Sequence, residues 1–125
     1  MIAHTVPQFF TSDFEKTFAY YEEKLGFERQ FLYGEPAVYG GMMRDGQSIF
    51  FRYVEQALPT SPEKYAEELL DTYIIVEGVD AVFQEFTDKG VDFHRGIETM
   101  PWAFREFVVR DEDGRLLCFG EFVGG

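Results

Sequence analysis

The chain has 125 residues, 46% of them hydrophobic, and no low-complexity tract, which fits one globular domain and excludes a disordered segment. A net charge of −12 disfavours nucleic acid and anionic membranes as partners and favours cationic ones, while an aromatic share of 18% exceeds the usual need of a small core. No run approaches the roughly 18 apolar residues of a membrane span, "MIAHTVPQFF" lacks a signal peptide's basic start, and one cysteine allows no internal disulfide, so a cytoplasmic protein is expected.

From the N-terminus, a first strand leads into Asp13-Phe14-Glu15-Lys16-Thr17-Phe18, which opens a helix. Ser12 is placed to cap it, and Glu15 three residues on completes a capping box. Phe14, Phe18, Tyr21 and Leu25 form one apolar stripe, and Gly26 supplies a left-handed stop. Strand-like runs follow, two of them joined by the hairpin signal Asp45-Gly46. Thr60-Ser61-Pro62-Glu63 then starts a linker helix with proline in its first turn, expected to continue through Lys64-Tyr65-Ala66-Glu67-Glu68-Leu69-Leu70.

Past the linker the pattern recurs. Val79, Phe83 and Phe86 repeat the stripe and Gly90 the stop, with Gly78 lying 65 positions after Asp13. Arg44-Asp45-Gly46-Gln47-Ser48-Ile49-Phe50-Phe51 is answered 68 positions on by Glu112-Asp113-Gly114-Arg115-Leu116-Leu117-Cys118-Phe119. A period near 65 is too long for a solenoid, so the chain reads as a duplicated β-α-β-β-β module, about 3–56 and about 71–123, with the linker helix over about 60–70. One helix covers only one face of such a half. The other face requires a second half, which leaves a cleft.

Paired modules of this kind, with "VPQFFTSDFEKTFAYYEEKLGF" and "REFVVRDEDGRLLCF", resemble the opening and closing cassettes of the vicinal oxygen chelate superfamily, which includes glyoxalase I, extradiol dioxygenases and bleomycin resistance proteins. The resemblance covers nearly the whole chain. It implies an α+β fold in which two tandem modules form a curved mixed sheet around a cleft. In the family's enzymes, His or Glu from the first and last strand of each module holds a divalent metal, and the internal repeat carries those positions onto Val6, Phe50, Asp71 and Cys118. Valine and phenylalanine offer no donor, and the remaining pair falls short of the roughly three protein ligands of a catalytic site. Cys118 then reads as a small buried hydrophobe and Asp71 as a solvated residue ahead of "TYIIV". Were a metal bound, His4, Asp71 and Glu121 are the ligands to draw on; His94 in "VDFHRG" reads as a strand residue on or near the surface. The turn "DEDG" lacks the later ligands of a calcium loop and reads as solvated. No nucleotide-binding or nucleophile motif occurs, and two histidines leave little general-base capacity near neutral pH.

Within the superfamily, the metal-free bleomycin resistance branch is the most similar. Val6-Pro7 matches its start, where a proline helps the first strand swap onto a partner; Tyr39-Gly40-Gly41 falls where that branch keeps a stacking ring; Pro101-Trp102 precedes Arg105-Glu106-Phe107 as in the branch. The linker helix is longer than usual there, and Glu112 stands where proline is common. The resemblance implies a homodimer, able to swap its first strand, that sequesters a cationic, bleomycin-type or aromatic ligand in a cleft at the dimer interface without a cofactor. Trp102 and Tyr39 are the expected ring platforms, Phe50, Phe107 and Cys118 the expected lining, and Glu121 the expected partner of a cation at the mouth. The competing reading is a metal-dependent lyase or dioxygenase with an atypical ligand set. A scaffold acting through its sheet edges has no positive sign in the sequence.

Overall fold

Burial alternates along β1 (Gln8–Thr11) and through the middle of β4 (Gln47–Tyr53), so each strand offers one face to a core and one to something else. The computed structural model describes residues 1–125, which divide into two compact units, Met1–Pro59 and Thr60–Gly125. In the first unit, α1 (Phe14–Glu23), β2 (Glu28–Tyr33) and β3 (Tyr39–Arg44) lie in sequence between β1 and β4. The sheet runs in the order β1-β4-β3-β2, with β1 parallel to β4 and the other pairs antiparallel. A parallel pair needs a crossover, and the segment containing α1 provides it.

The stripe Phe14, Phe18, Tyr21 and Leu25 is buried, as are Phe9, Met42, Ile49 and Phe51 of the sheet. Phe51 is the hub: Phe9, Phe18 and Tyr21 meet its ring edge-on at 5.8, 6.0 and 5.2 Å, the arrangement that ring quadrupoles favour. The helix cap differs from expectation by one residue. Asp13, not Ser12, accepts from the Lys16 backbone N–H at 3.1 Å. The Thr11 hydroxyl fixes Asp13 there by donating to its carbonyl and accepting from its N–H, each at 3.1 Å.

The second unit repeats the topology. After α2 (Pro62–Ala66) come β5 (Thr72–Ile75), α3 (Val79–Asp88), β6 (Phe93–Thr99), β7 (Phe104–Arg110) and β8 (Leu116–Phe122), with sheet order β5-β8-β7-β6 and β5 parallel to β8. Gly26 and Gly90 end the two long helices at φ 73° and 71°, as their spacing implied. Phe119, 68 positions after Phe51, takes its place in the core: it stacks on Phe107 at 5.4 Å, and Phe86 meets both rings edge-on at 5.1 and 5.8 Å. The molecule is therefore α+β with two four-stranded mixed sheets.

Two local features depart from the sequence reading. α2 stops at Ala66 rather than running to Leu70, and Glu68 at φ 51° lies outside the right-handed helical region. The turn "DEDG" is not solvated. Arg115 turns back on it and donates to Asp111 at 2.7 Å, Glu112 at 3.3 Å and Asp113 at 3.1 Å, with Asp111 only 5% exposed. A run of acids would repel itself, and a guanidinium has enough donors to satisfy all of them. No helix is long and apolar enough to cross a membrane.

Candidate functional site

In each sheet, the face turned away from the long helix carries the residues that core packing does not use. On the first sheet, register and alternation put Gln8 and Phe10, Phe31 and Tyr33, Tyr39 and Gly41, and Phe50 and Arg52 on this face. Phe31 and Tyr39 stack at 6.0 Å with 9° between their planes, and Phe50 meets them edge-on at 5.5 and 6.0 Å. The Tyr39 hydroxyl donates to Gln8 Oε1, and Ser48 donates to Gln30 Oε1 at 2.9 Å. Gly41 makes this possible: a Cβ there would collide with the Phe31 ring. The ring sits close over Gly41, where no side chain projects.

On the second sheet the same face is charged. Glu106, 4% exposed, accepts from the Tyr73 hydroxyl at 2.5 Å and from Arg95 at 2.8 Å, while Arg95 also reaches Glu68 at 2.9 Å and Glu98 at 3.0 Å. Gly120 has the role here that Gly41 has in the other sheet, since a Cβ on it would strike the Tyr73 hydroxyl. Burial, and then the bond to Glu106, raises the Tyr73 phenol well above its usual range. Burial and the Glu106 charge push the Cys118 thiol up to about 12, against a smaller opposing effect from Arg95. Tyr65 of α2 packs on Val108, Leu116 and Cys118, its hydroxyl bonded to the Gly114 carbonyl at 3.0 Å and its ring 4.0 Å from the Arg110 guanidinium. Phe104 meets Tyr73 and Phe122 at 6.0 and 5.6 Å.

Several residues expected at the site lie elsewhere. Phe107 does not line this face; it is fully buried on the α3 side against Phe83, Phe86, Phe93 and Phe119. Glu106 next to it faces the other way. Glu121 is already engaged: it accepts from the backbone N–H groups of Gly78 and Val79, both at 3.0 Å, at the start of α3, and these bonds hold its carboxyl below the usual range. Trp102 is 61% exposed on the β6–β7 connection. Tyr39, Phe50 and Cys118 lie on the faces described, the first two together.

The positions that resemblance assigns to a metal do not suit one. The Cα partners in the parallel pairs are Gln8 with Phe50 and Tyr73 with Cys118, so Val6 and Asp71 precede the strands rather than sit opposite their supposed co-ligands. Asp71 is exposed, as expected of a residue ahead of its strand, and is engaged by Lys64 at 2.7 Å and by the Leu116 N–H at 2.8 Å. His4 is exposed ahead of β1, and His94 lies on β6 with its ring 6.0 Å from Tyr65. No three His, Cys, Asp or Glu side chains converge in a way that could hold a metal ion. In the first unit the strand partners are a carboxamide and a phenyl ring, and in the second a phenol and a protonated thiol; neither pair is a good donor set for a divalent cation.

The family model described as Glyoxalase/Bleomycin resistance protein/Dioxygenase superfamily matches residues 1–119. The chain belongs to this superfamily. No curated protein matches the sequence. Among solved structures, the superfamily fold recurs in a glyoxalase-related enzyme from Clostridium phytofermentans (TM-score 0.79, 21% identity, covering 98% of this chain and 97% of that one). It recurs also in a bleomycin resistance determinant encoded on the transposon Tn5 (0.78, 17%, covering 98% and 100%). A third is a bleomycin-binding protein from bleomycin-producing Streptomyces verticillus, complexed with copper(II)-bleomycin (0.70, 21%, covering 100% and 98%). These likenesses establish the fold alone. Sequence reasoning missed Tyr73, Arg95, Arg52 and Phe31; the equal offsets of the repeat were a usable signal for Tyr73, which lies 65 positions after Gln8.

Proposed function

We propose that this superfamily member is a binding protein that captures a small flat molecule, aromatic or cationic, without a metal and without chemistry, as a homodimer. One observation carries the reading. Where resemblance puts a metal ligand, Phe50 offers a ring that joins Phe31 and Tyr39 in an aromatic floor. Ring-on-ring contact contributes about 0.5–1.5 kcal/mol per pair beyond area burial, enough for several rings to hold a planar guest. The buried Cys118 and the engaged Glu106 supply neither a ready nucleophile nor a free base. The kinship with proteins described as resistance determinants and bleomycin-binding proteins supports the same reading. Calorimetric titration with a bleomycin-type drug, beside elemental analysis of the purified protein, tests it. Saturable binding without a stoichiometric divalent metal is expected. A silent titration together with one tightly held metal ion per chain would overturn the proposal in favour of a metal-dependent enzyme.

A further inference from the structure

We infer that the aromatic face of the first sheet takes a flat aromatic acid, its ring on Phe31, Tyr39 and Phe50 and its anion on Arg52. The inference rests on the capture function proposed above and specifies the charge of the guest. The chain has 11 Lys and Arg against 23 Asp and Glu, so a basic group without an acidic partner is the exception. Arg29, Arg95, Arg105 and Arg115 each meet at least one carboxylate at 2.7–3.2 Å. Arg52 is exposed, and its side chain has no ion pair or hydrogen bond.

Its position places it beside the rings. Arg52 is the Cα partner of Phe10 on β1 and of Tyr39 on β3, two residues beyond Phe50, so all these side chains project from one face. The polar atoms nearby are donors too. Gln8 and Gln30 have their amide oxygens occupied by Tyr39 and Ser48, which leaves their NH₂ groups. The one carboxylate that alternation puts on the face is Glu28, partner of Met43, four residues along β3 from Tyr39. At strand spacing that separation is roughly 13 Å, beyond the screening length of about 8 Å at physiological ionic strength. The net charge of −12 therefore weakly opposes an anion at Arg52 once contact is made. Guanidinium and carboxylate match geometrically and bond with charge assistance.

The test uses three probes of one shape, 2-naphthoate, 2-naphthamide and 2-naphthylmethylammonium, titrated calorimetrically into the wild-type protein and into Arg52→Gln and Arg52→Lys. Naphthoate is expected to bind at least roughly tenfold more tightly than the other two, as a charge-assisted contact implies. Arg52→Gln should abolish that preference and Arg52→Lys retain part of it, with melting temperatures unchanged because the residue is exposed. Equal or tighter binding of the ammonium probe, persistence of the preference in Arg52→Gln, or no binding of any probe would overturn the inference. Binding of any naphthyl probe or of a bleomycin-type drug in those cases would leave the capture function standing; silence from all of them would remove both.

Discussion

Cys118 and Glu121 lie three residues apart on β8 and respond to pH in opposite directions. Burial and Glu106 push the Cys118 thiol from its usual 9.0 up to about 12, so the folded protein holds the proton where the unfolded chain gives it up. Its contribution to stability is full below pH 9 and is lost as the pH rises through about 12. Replacement by alanine should flatten the alkaline fall in melting temperature across that window. A thiol reagent at pH 8 should leave the native protein unmodified while reacting fully with the unfolded chain, because the thiolate is the reactive form; quick reaction of the native protein would contradict the burial described. Glu121 is held below its usual range by two backbone N–H groups, so its contribution is present above that range and disappears as the pH falls through the folded value.

At the scale of elements, the acidic turn between β7 and β8 depends on Arg115. Arg115→Met keeps most of the volume but leaves the buried Asp111 without its cation, and breaking a buried pair in this way costs about 3–5 kcal/mol. Urea unfolding should register that loss with an unchanged slope; a change below about 1 kcal/mol would mark the pair as an ordinary surface contact. The elements themselves were legible in the sequence, because Asp-Gly turns, glycine stops and apolar stripes are local signals, and the repeat supplied the topology twice. The facing of side chains in β7 was not. Glu106, Phe107, Val108 and Val109 are all buried, so polarity does not mark the faces of this strand, and a register slipped by one residue puts Phe107 on the wrong one. Glu121 was unreadable for a different reason: it acts on backbone that the fold brings to it across 43 positions of sequence. The candidate site was legible at Tyr39 and Phe50, which the cassettes and the repeat locate, and not at Arg52, whose importance lies in having no partner.

For the whole molecule, the charge of −12 spread over 125 residues acts against the folded state by self-repulsion. Screening should relieve it. The melting temperature is expected to rise by a few degrees between roughly 10 mM and about 150 mM sodium chloride, where the screening length shrinks from about 30 to 8 Å. A fall over that range would mean that the exposed ion pairs, such as Arg105 with Asp80 and Arg29 with Glu15, outweigh the excess charge.

The ring of Phe31 seated over Gly41 has one more effect. A pleated sheet normally presents ridges and hollows, and here the hollow over a glycine is filled by a ring. Such a floor is indifferent to the outline of what settles on it, and many planar compounds would fit equally well. Discrimination among them then passes to whatever each guest carries at its rim.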